Sequence, residues 1–308
     1  MYGRYAIRRL VGLVPTFFVI VTAAFFLMRA APGGPFDQEQ AIPPEIRANL
    51  EAAYGLDRPV WEQYVRYLEG LAHGDLGPSF RLKDHGVAEL IASGAPVTFT
   101  IGFAALLLAV AVGVPLGFAA ATHHNRGPDH AVMTLALLGI AVPNFVVAPL
   151  LALVFGVRLG WLPVAGWESP DPRYMVLPVV TLALPFIAYV ARLARGSLLE
   201  VLQAPWIRTA RAKGIDGRGV LLRHALKPAL MPVVSFLGPA AAGLLTGSLV
   251  VEQAFGLPGI GRYFVQGAVN RDYTLVMGMV VFYAGLILLL NLLVDLAYGW
   301  LDPQIRHD

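Results

Sequence analysis

The sequence predicts an all-α polytopic membrane protein with six membrane-crossing helices. Three observations carry this. Hydrophobic residues make up 57% of the 308 residues and charged residues only 14%, against about 25% charged in a soluble chain. Six apolar runs of about 20 residues, the length that crosses a hydrocarbon core, lie at 10–28, 97–121, 132–155, 174–191, 228–251 and 274–299, none containing Lys or Arg. The chain holds 32 Gly and 23 Pro, both more frequent in membrane helices than in soluble ones. Together these exclude a soluble enzyme, a disordered chain and a nucleic-acid-binding domain.

The first run follows Arg4, Arg8 and Arg9. A basic start and an apolar run also fit a cleaved signal peptide. The residues after it, Arg29-Ala30-Ala31-Pro32, lack a small-x-small cleavage site, so an uncleaved first span over 1–28 is expected. Residues 29–96 are polar and read as a small helical cap. Pro43-Pro44 open one helical stretch, and Trp61, Tyr64, Val65, Leu68 and Leu71 recur at helical spacing in a second. Gly74-Asp75-Leu76-Gly77-Pro78 ends it. The five remaining spans and their connections occupy 97–299, and 300–308 form a short tail. The fourth run is the shortest, interrupted by Pro178 and Pro185.

Charge sets the expected orientation. Region 29–96 carries ten Asp or Glu against six Lys or Arg, whereas segment 192–227 carries eight Lys or Arg against Glu200 and Asp216. Both termini and 192–227 are therefore expected in the cytoplasm, with 29–96 outside.

Several chemistries are absent. There is no cysteine, so no disulfide, thiolate metal site or cysteine nucleophile. There is no Gly-x-x-x-x-Gly-Lys-Ser/Thr, so the chain does not cradle ATP phosphates itself. No catalytic residues, metal site or cofactor are expected: His123-His124 has no companion cluster and reads as a solvated loop pair. The spans lack midplane carboxylates, Glu252 and Asp295 lying near span ends, which places the source of energy outside this chain. An ion-coupled secondary carrier, the rival class, predicts such acids and inverted repeats.

Segment 192–227 is 36 residues long, read as a loop, and long connections are usually functional. Its centre predicts a short helix over 205–213. Pro205 suits the first helical position, Arg211 and Lys213 suit the negative end, and Gly214 is a natural stop. Trp206, Ile207 and Ala210 are expected on one face. A helix this short needs a surface to pack on, either its own bundle or a cytoplasmic partner.

This segment resembles the cytoplasmic signature of ABC-importer permeases, in its oligopeptide and dipeptide variant. The matching stretches are Arg195-Gly196-Ser197-Leu198-Leu199-Glu200-Val201-Leu202, Ile207-Arg208-Thr209-Ala210-Arg211-Ala212-Lys213-Gly214 and Arg223-His224-Ala225-Leu226-Lys227-Pro228-Ala229. Arg8-Arg9 with Ala31-Pro32-Gly33, Tyr54-Gly55-Leu56 to Gly77, Gly256 to Gly261, and Asp302-Pro303 extend the likeness along essentially the whole chain. The outer region after span one resembles the B-type subunit of an oligopeptide permease. The general signature is Glu-Ala-Ala-x-x-x-Gly; here Arg208 holds the glutamate position.

The resemblance implies a type I ABC-importer permease fold, with 97–299 as its transmembrane domain. It implies that Trp206, Ile207, Arg208, Thr209, Ala210, Arg211, Lys213 and Gly214 couple to an ATPase, with Glu200, His224 and Pro228 supporting the segment. The implied partners are a second, C-type permease, two ATP-binding subunits that bind ATP and Mg and supply the hydrolysis, an extracytoplasmic peptide-binding protein and membrane lipid, with no nucleic acid. The expected function is ATP-driven import of oligopeptides. Dipeptide, glutathione and nickel permeases are the alternatives within the family. Asn144, Gly243, Gly247 and Ser248 are candidates for the translocation path. For Gly243 and Gly247 the competing reading is close helix packing; for Asn144 it is a hydrogen bond between helices.

Overall fold

The computed structural model describes residues 2–36, 43–82, 84–168 and 171–301. Among these residues the fold is helical, with one isolated bridge pairing Pro78 with Gly86. The helices are α1 (Tyr2–Ala30), α2 (Pro44–Ala53), α3 (Val60–Ala72), α4 (Val87–Thr122), α5 (Gly127–Ala141) and α6 (Asn144–Leu151), which continues as a π-helical stretch Ala152–Arg158. There follow α7 (Arg173–Leu202), α8 (Pro205–Ala212), the single turn α9 (Gly217–Gly219) with a second π-helical stretch Val220–Ala225, α10 (Leu226–Phe255), α11 (Ile260–Val269) and α12 (Tyr273–Leu301). The expected Asp302-Pro303 match and the tail with Arg306 lie outside the described residues.

Among the described residues five helices are long and apolar enough to cross a membrane, or six when the bent pair α5 and α6 is counted as one span. Two expectations change here. The apolar run 132–155 is not one straight helix: α5 and α6 meet at a 102° bend. Pro143 supplies no backbone N–H, and it biases Val142 before it away from helical geometry, at ψ 118°. The run with Pro178 and Pro185 is by contrast a continuous 30-residue helix. Bundle neighbours bury Leu177, Thr181, Leu182 and Ala188 along it, the setting in which membrane helices absorb prolines. Because α7 extends to Leu202 and the π stretch begins at Val220, segment 192–227 is mostly helix, not a loop.

The chain forms two compact units. The first comprises Met1–Val97 and Pro258–Leu289. Here α4 begins ten residues ahead of the apolar run, because Val87, Leu90 and Ile91 are buried with Ile260, Leu275 and Met279. The amphipathic α3 lays Tyr64, Tyr67, Leu68 and Leu71 on Val21, Phe25 and Met277. Burial pushes the Tyr67 phenol up to about 12. Backbone carbonyls in the polar region take hydrogen bonds from the start of α12: Tyr273 donates to Gly33 at 2.7 Å and Thr274 to Pro78 at 2.5 Å.

The second unit comprises Thr98–Leu257 and Leu290–Asp308. One close crossing in it is α4 on α7. A Cβ at Gly113 would stand 2.8 Å from the Ile187 carbonyl, and one at Gly117 would stand 2.8 Å from Ala194 Cβ and collide with the Ala191 carbonyl. This is the small-x-x-x-small packing of membrane helices. Near one end of α10, Thr98 donates to Glu252 at 2.7 Å, and both side chains are buried.

Candidate functional site

The candidate site is α8 and the elements that root it. Ala204 is extended at φ −63°, ψ 147°, and its carbonyl accepts from the Ile207 and Arg208 amides. Pro205 occupies the first helical position, where no backbone donor is required. The far end closes as a Schellman motif. The Gly214 amide donates to the Arg211 carbonyl at 3.0 Å and the Ile215 amide to Ala210 at 3.3 Å. Gly214 adopts φ +78°, the left-handed region that favours glycine.

Only a narrow stripe of α8 is buried. Ile207 is 0% and Ala210 6% exposed, within a core containing Ala121 of α4, Leu198 and Val201 of α7, Val220 and Ala225 of the second π stretch, and Ala229 of α10. Ile215 packs on the same core. Trp206 does not share this face, contrary to expectation: it is 55% exposed. At about 100° per residue, positions 207 and 210 define a stripe whose flank, not centre, holds Trp206. Arg208, Thr209, Arg211, Lys213 and Gly214 are also exposed. The outward surface of α8 is therefore a large aromatic ring among cations on a firmly seated base.

The remaining expected residues are dispersed. Glu200 is exposed on α7, and its backbone carbonyl accepts from Gln203. His224 is half-buried in the second π stretch, and Pro228 is half-buried at the start of α10. Of the path candidates, Asn144 is half-buried and opens α6 immediately after the bend, whereas Gly243, Gly247 and Ser248 lie on α10. Gly243 faces Phe186 of α7, which would lie 3.2 Å from an added Cβ, so close packing accounts for it. Ser248 is fully buried and bonded to its own helix, through the Leu245 carbonyl at 2.9 Å.

The polar cluster most firmly built into this unit escaped the sequence reading. Asp129, buried in the first turn of α5, meets Arg195 of α7, with Nε–Oδ1 at 2.5 Å and Nη2–Oδ2 at 2.8 Å. His124 Nδ1 lies 3.4 Å from Asp129 Oδ2, so one member of the histidine pair belongs to this cluster. Among the described residues no group of three or more His, Asp or Glu is arranged to hold a metal ion.

A family model described as binding-protein-dependent transport system inner membrane component matches residues 113–307, and a model of the N-terminal part of such membrane components matches 2–101. The chain is 50% identical over 304 residues to the oligopeptide transport system permease protein OppB of Escherichia coli K12, covering 99% of each chain. It is 44% identical to the dipeptide transport system permease protein DppB of Bacillus subtilis, covering 99% of this chain and 98% of the other. Among solved structures, an inward-facing MetNI methionine ABC transporter chain aligns with a TM-score of 0.60 at 19% identity, over 69% of this chain and 96% of that one.

Proposed function

The chain belongs to the inner-membrane components of binding-protein-dependent transport systems, and from that membership we propose that it is the permease subunit of an ATP-driven importer of oligopeptides. It is a multi-pass membrane protein of the ABC-permease fold. The observation that carries the mechanism is α8: its base, Ile207 and Ala210, is locked into the ends of α4, α7 and α10. Its outer surface presents Trp206 at 55% exposure. Exposed aromatics ringed by cations are typical anchors for a protein partner.

In this reading α8 is the coupling helix and seats in a groove of an ATP-binding subunit, since the chain carries no phosphate-cradling motif of its own. Trp206, Arg208, Thr209, Arg211, Lys213 and Gly214 face that subunit; Ile207 and Ala210 anchor the helix. ATP binding draws two such subunits together, the coupling helices follow, and the spans tip from inward-open to outward-open. Hydrolysis reverses the movement. A bistable bundle with differential contacts in its two states is the physical requirement. A second, C-type permease completes the pathway, and an extracytoplasmic peptide-binding protein delivers cargo to the side bearing residues 29–96. Both termini and α8 then lie in the cytoplasm.

Oligopeptides are favoured as cargo by the higher identity to the oligopeptide relative, 50% against 44% for the dipeptide one. The test has two stages. A mild-detergent pull-down of the tagged chain from its native membrane is expected to retain a second permease, ATP-binding subunits and a binding protein. The retained complex in proteoliposomes is then expected to take up a labelled tetrapeptide with ATP, resisting competition by a dipeptide. Solute movement by the isolated chain without ATP contradicts the proposal, and preferential competition by the dipeptide replaces the cargo assignment.

A further inference from the structure

Arg195 grips Asp129 through two parallel bonds, 2.5 Å from Nε to Oδ1 and 2.8 Å from Nη2 to Oδ2. Such a fork fixes rotation as well as separation, which a single lysine bond does not. The Asp129 side chain is 1% exposed. Its Oδ2 also accepts from the Asn125 amide at 2.9 Å, in the corner 123–126 that joins α4 to α5, and Asn125 holds φ +57°. His124 completes the group, its Nδ1 3.3 Å from Arg195 Nη2. A buried ion pair loses the hydration of both charges and is a weak source of stability. What this one supplies is geometry: it fastens the first turn of α5 to α7.

The location gives that fastening a consequence. Arg195 lies seven residues before the last residue of α7, about 10 Å along the helix. Between them, Leu198 and Val201 enter the core that seats Ile207 and Ala210 of α8, and Ala121 of α4 joins the same core. The ends of α4 and α7 and all of α8 thus form one packed block, and the Asp129–Arg195 fork adds α5 to it. Further along, α5 stays close to α7: a Cβ at Gly139 would lie 3.4 Å from Ala188 Cβ. α5 then ends at the 102° bend whose far side starts with Asn144.

We infer that Asp129 and Arg195 are positioning residues that make α5 move with the coupling helix, carrying its displacement to the bend at Val142–Pro143 and so to Asn144. This rests on reading α8 as the coupling helix. The pair touches neither nucleotide nor cargo.

The experiment uses the whole complex in proteoliposomes, carrying Asp129→Asn or Arg195→Lys in this chain. Both variants are expected to retain the ATP-binding subunits and to hydrolyse ATP within about twofold of the parent, while peptide moved per ATP falls at least tenfold. The exchange Asp129→Arg with Arg195→Asp is expected to restore part of the loss. A second readout uses the absence of native cysteine. Spin labels at Ala131→Cys on α5 and Arg218→Cys on α9, both exposed positions, are expected to keep one separation with and without ATP. With Asp129→Asn that separation is expected to change between the two states. Unchanged transport per ATP in both single variants overturns the inference, as does loss of assembly in both, which assigns the pair a purely structural role. Ala210→Asp is the control. If it uncouples and the fork variants do not, only this inference falls; if it transports normally, the reading of α8 falls as well.

Discussion

The hydroxyl of Ser79 donates to Oδ2 of Asp272 at 2.5 Å across 193 residues of sequence. Asp272 is fully buried, and the same carboxylate takes the Arg81 amide on Oδ2 and the Leu275 amide on Oδ1. One side chain thereby caps the start of α12 and fastens the polar region to it. Asp272→Ala leaves these donors without that acceptor and is expected to cost about 3 kcal/mol. Asp272→Asn, which keeps an acceptor oxygen, is expected to cost less. Thermal unfolding in detergent checks the order; equal midpoints for alanine variant and parent contradict it.

Gly117 lets α4 and α7 meet backbone to backbone, with Ala194 Cβ 2.8 Å and the Arg195 amide 3.0 Å from where a Cβ would sit. A leucine there cannot be absorbed by a flexible side chain, because the Ala191 carbonyl blocks it. Gly117→Leu is expected to separate the helices at a cost of 3 kcal/mol or more, on the order of severe overpacking. Gly127→Ala, where nothing lies within 4 Å of the added Cβ, is the matched control and should unfold with the parent.

Gly214 carries φ +78° with open space around it. Alanine there meets backbone strain alone, about 1–2 kcal/mol, and asparagine, which visits this region more readily, less. Uptake by proteoliposomes is expected to fall in the order parent, Gly214→Asn, Gly214→Ala, Gly214→Pro. Proline also removes the amide that donates to Arg211, so its loss is the largest.

Trp206 is the exposed aromatic of α8. Trp206→Ala is expected to leave the thermal midpoint of the isolated chain unchanged and to weaken retention of the ATP-binding subunits by about 2 kcal/mol or more, the size of an interface hot spot. Titration of those subunits onto the immobilised chain measures it.

Much of this was legible from residues 205–214, where Pro205 and Gly214 mark helix ends by local chemistry that needs no tertiary partner. The membrane class followed from six apolar runs for the same reason: length and composition act locally. What escaped depended on partners far apart in sequence. Pro143 and Pro185 look alike as residues, yet one marks a 102° bend and the other lies within an unbroken helix; the surrounding packing decides. Periodicity put Trp206 with Ile207 and Ala210, but the width of the buried stripe is set by α4, α7 and α10. Nothing local marks Asp129 in the sequence; its partner Arg195 lies 66 residues on and is brought to it by α7. Gly113 and Gly117 have the same spacing as Gly243 and Gly247, and spacing alone does not say which stripe meets a backbone.

The most direct test of the account replaces Ala210, 6% exposed beneath the coupling surface, with aspartate in the complete complex. A buried, unpaired carboxylate is expected to unseat α8 from its base while the spans stay assembled. Peptide delivered and ATP hydrolysed are measured together in the same proteoliposomes. The account predicts that hydrolysis continues while uptake falls to a few per cent of the parent. Uptake that keeps pace with hydrolysis in Ala210→Asp would contradict it.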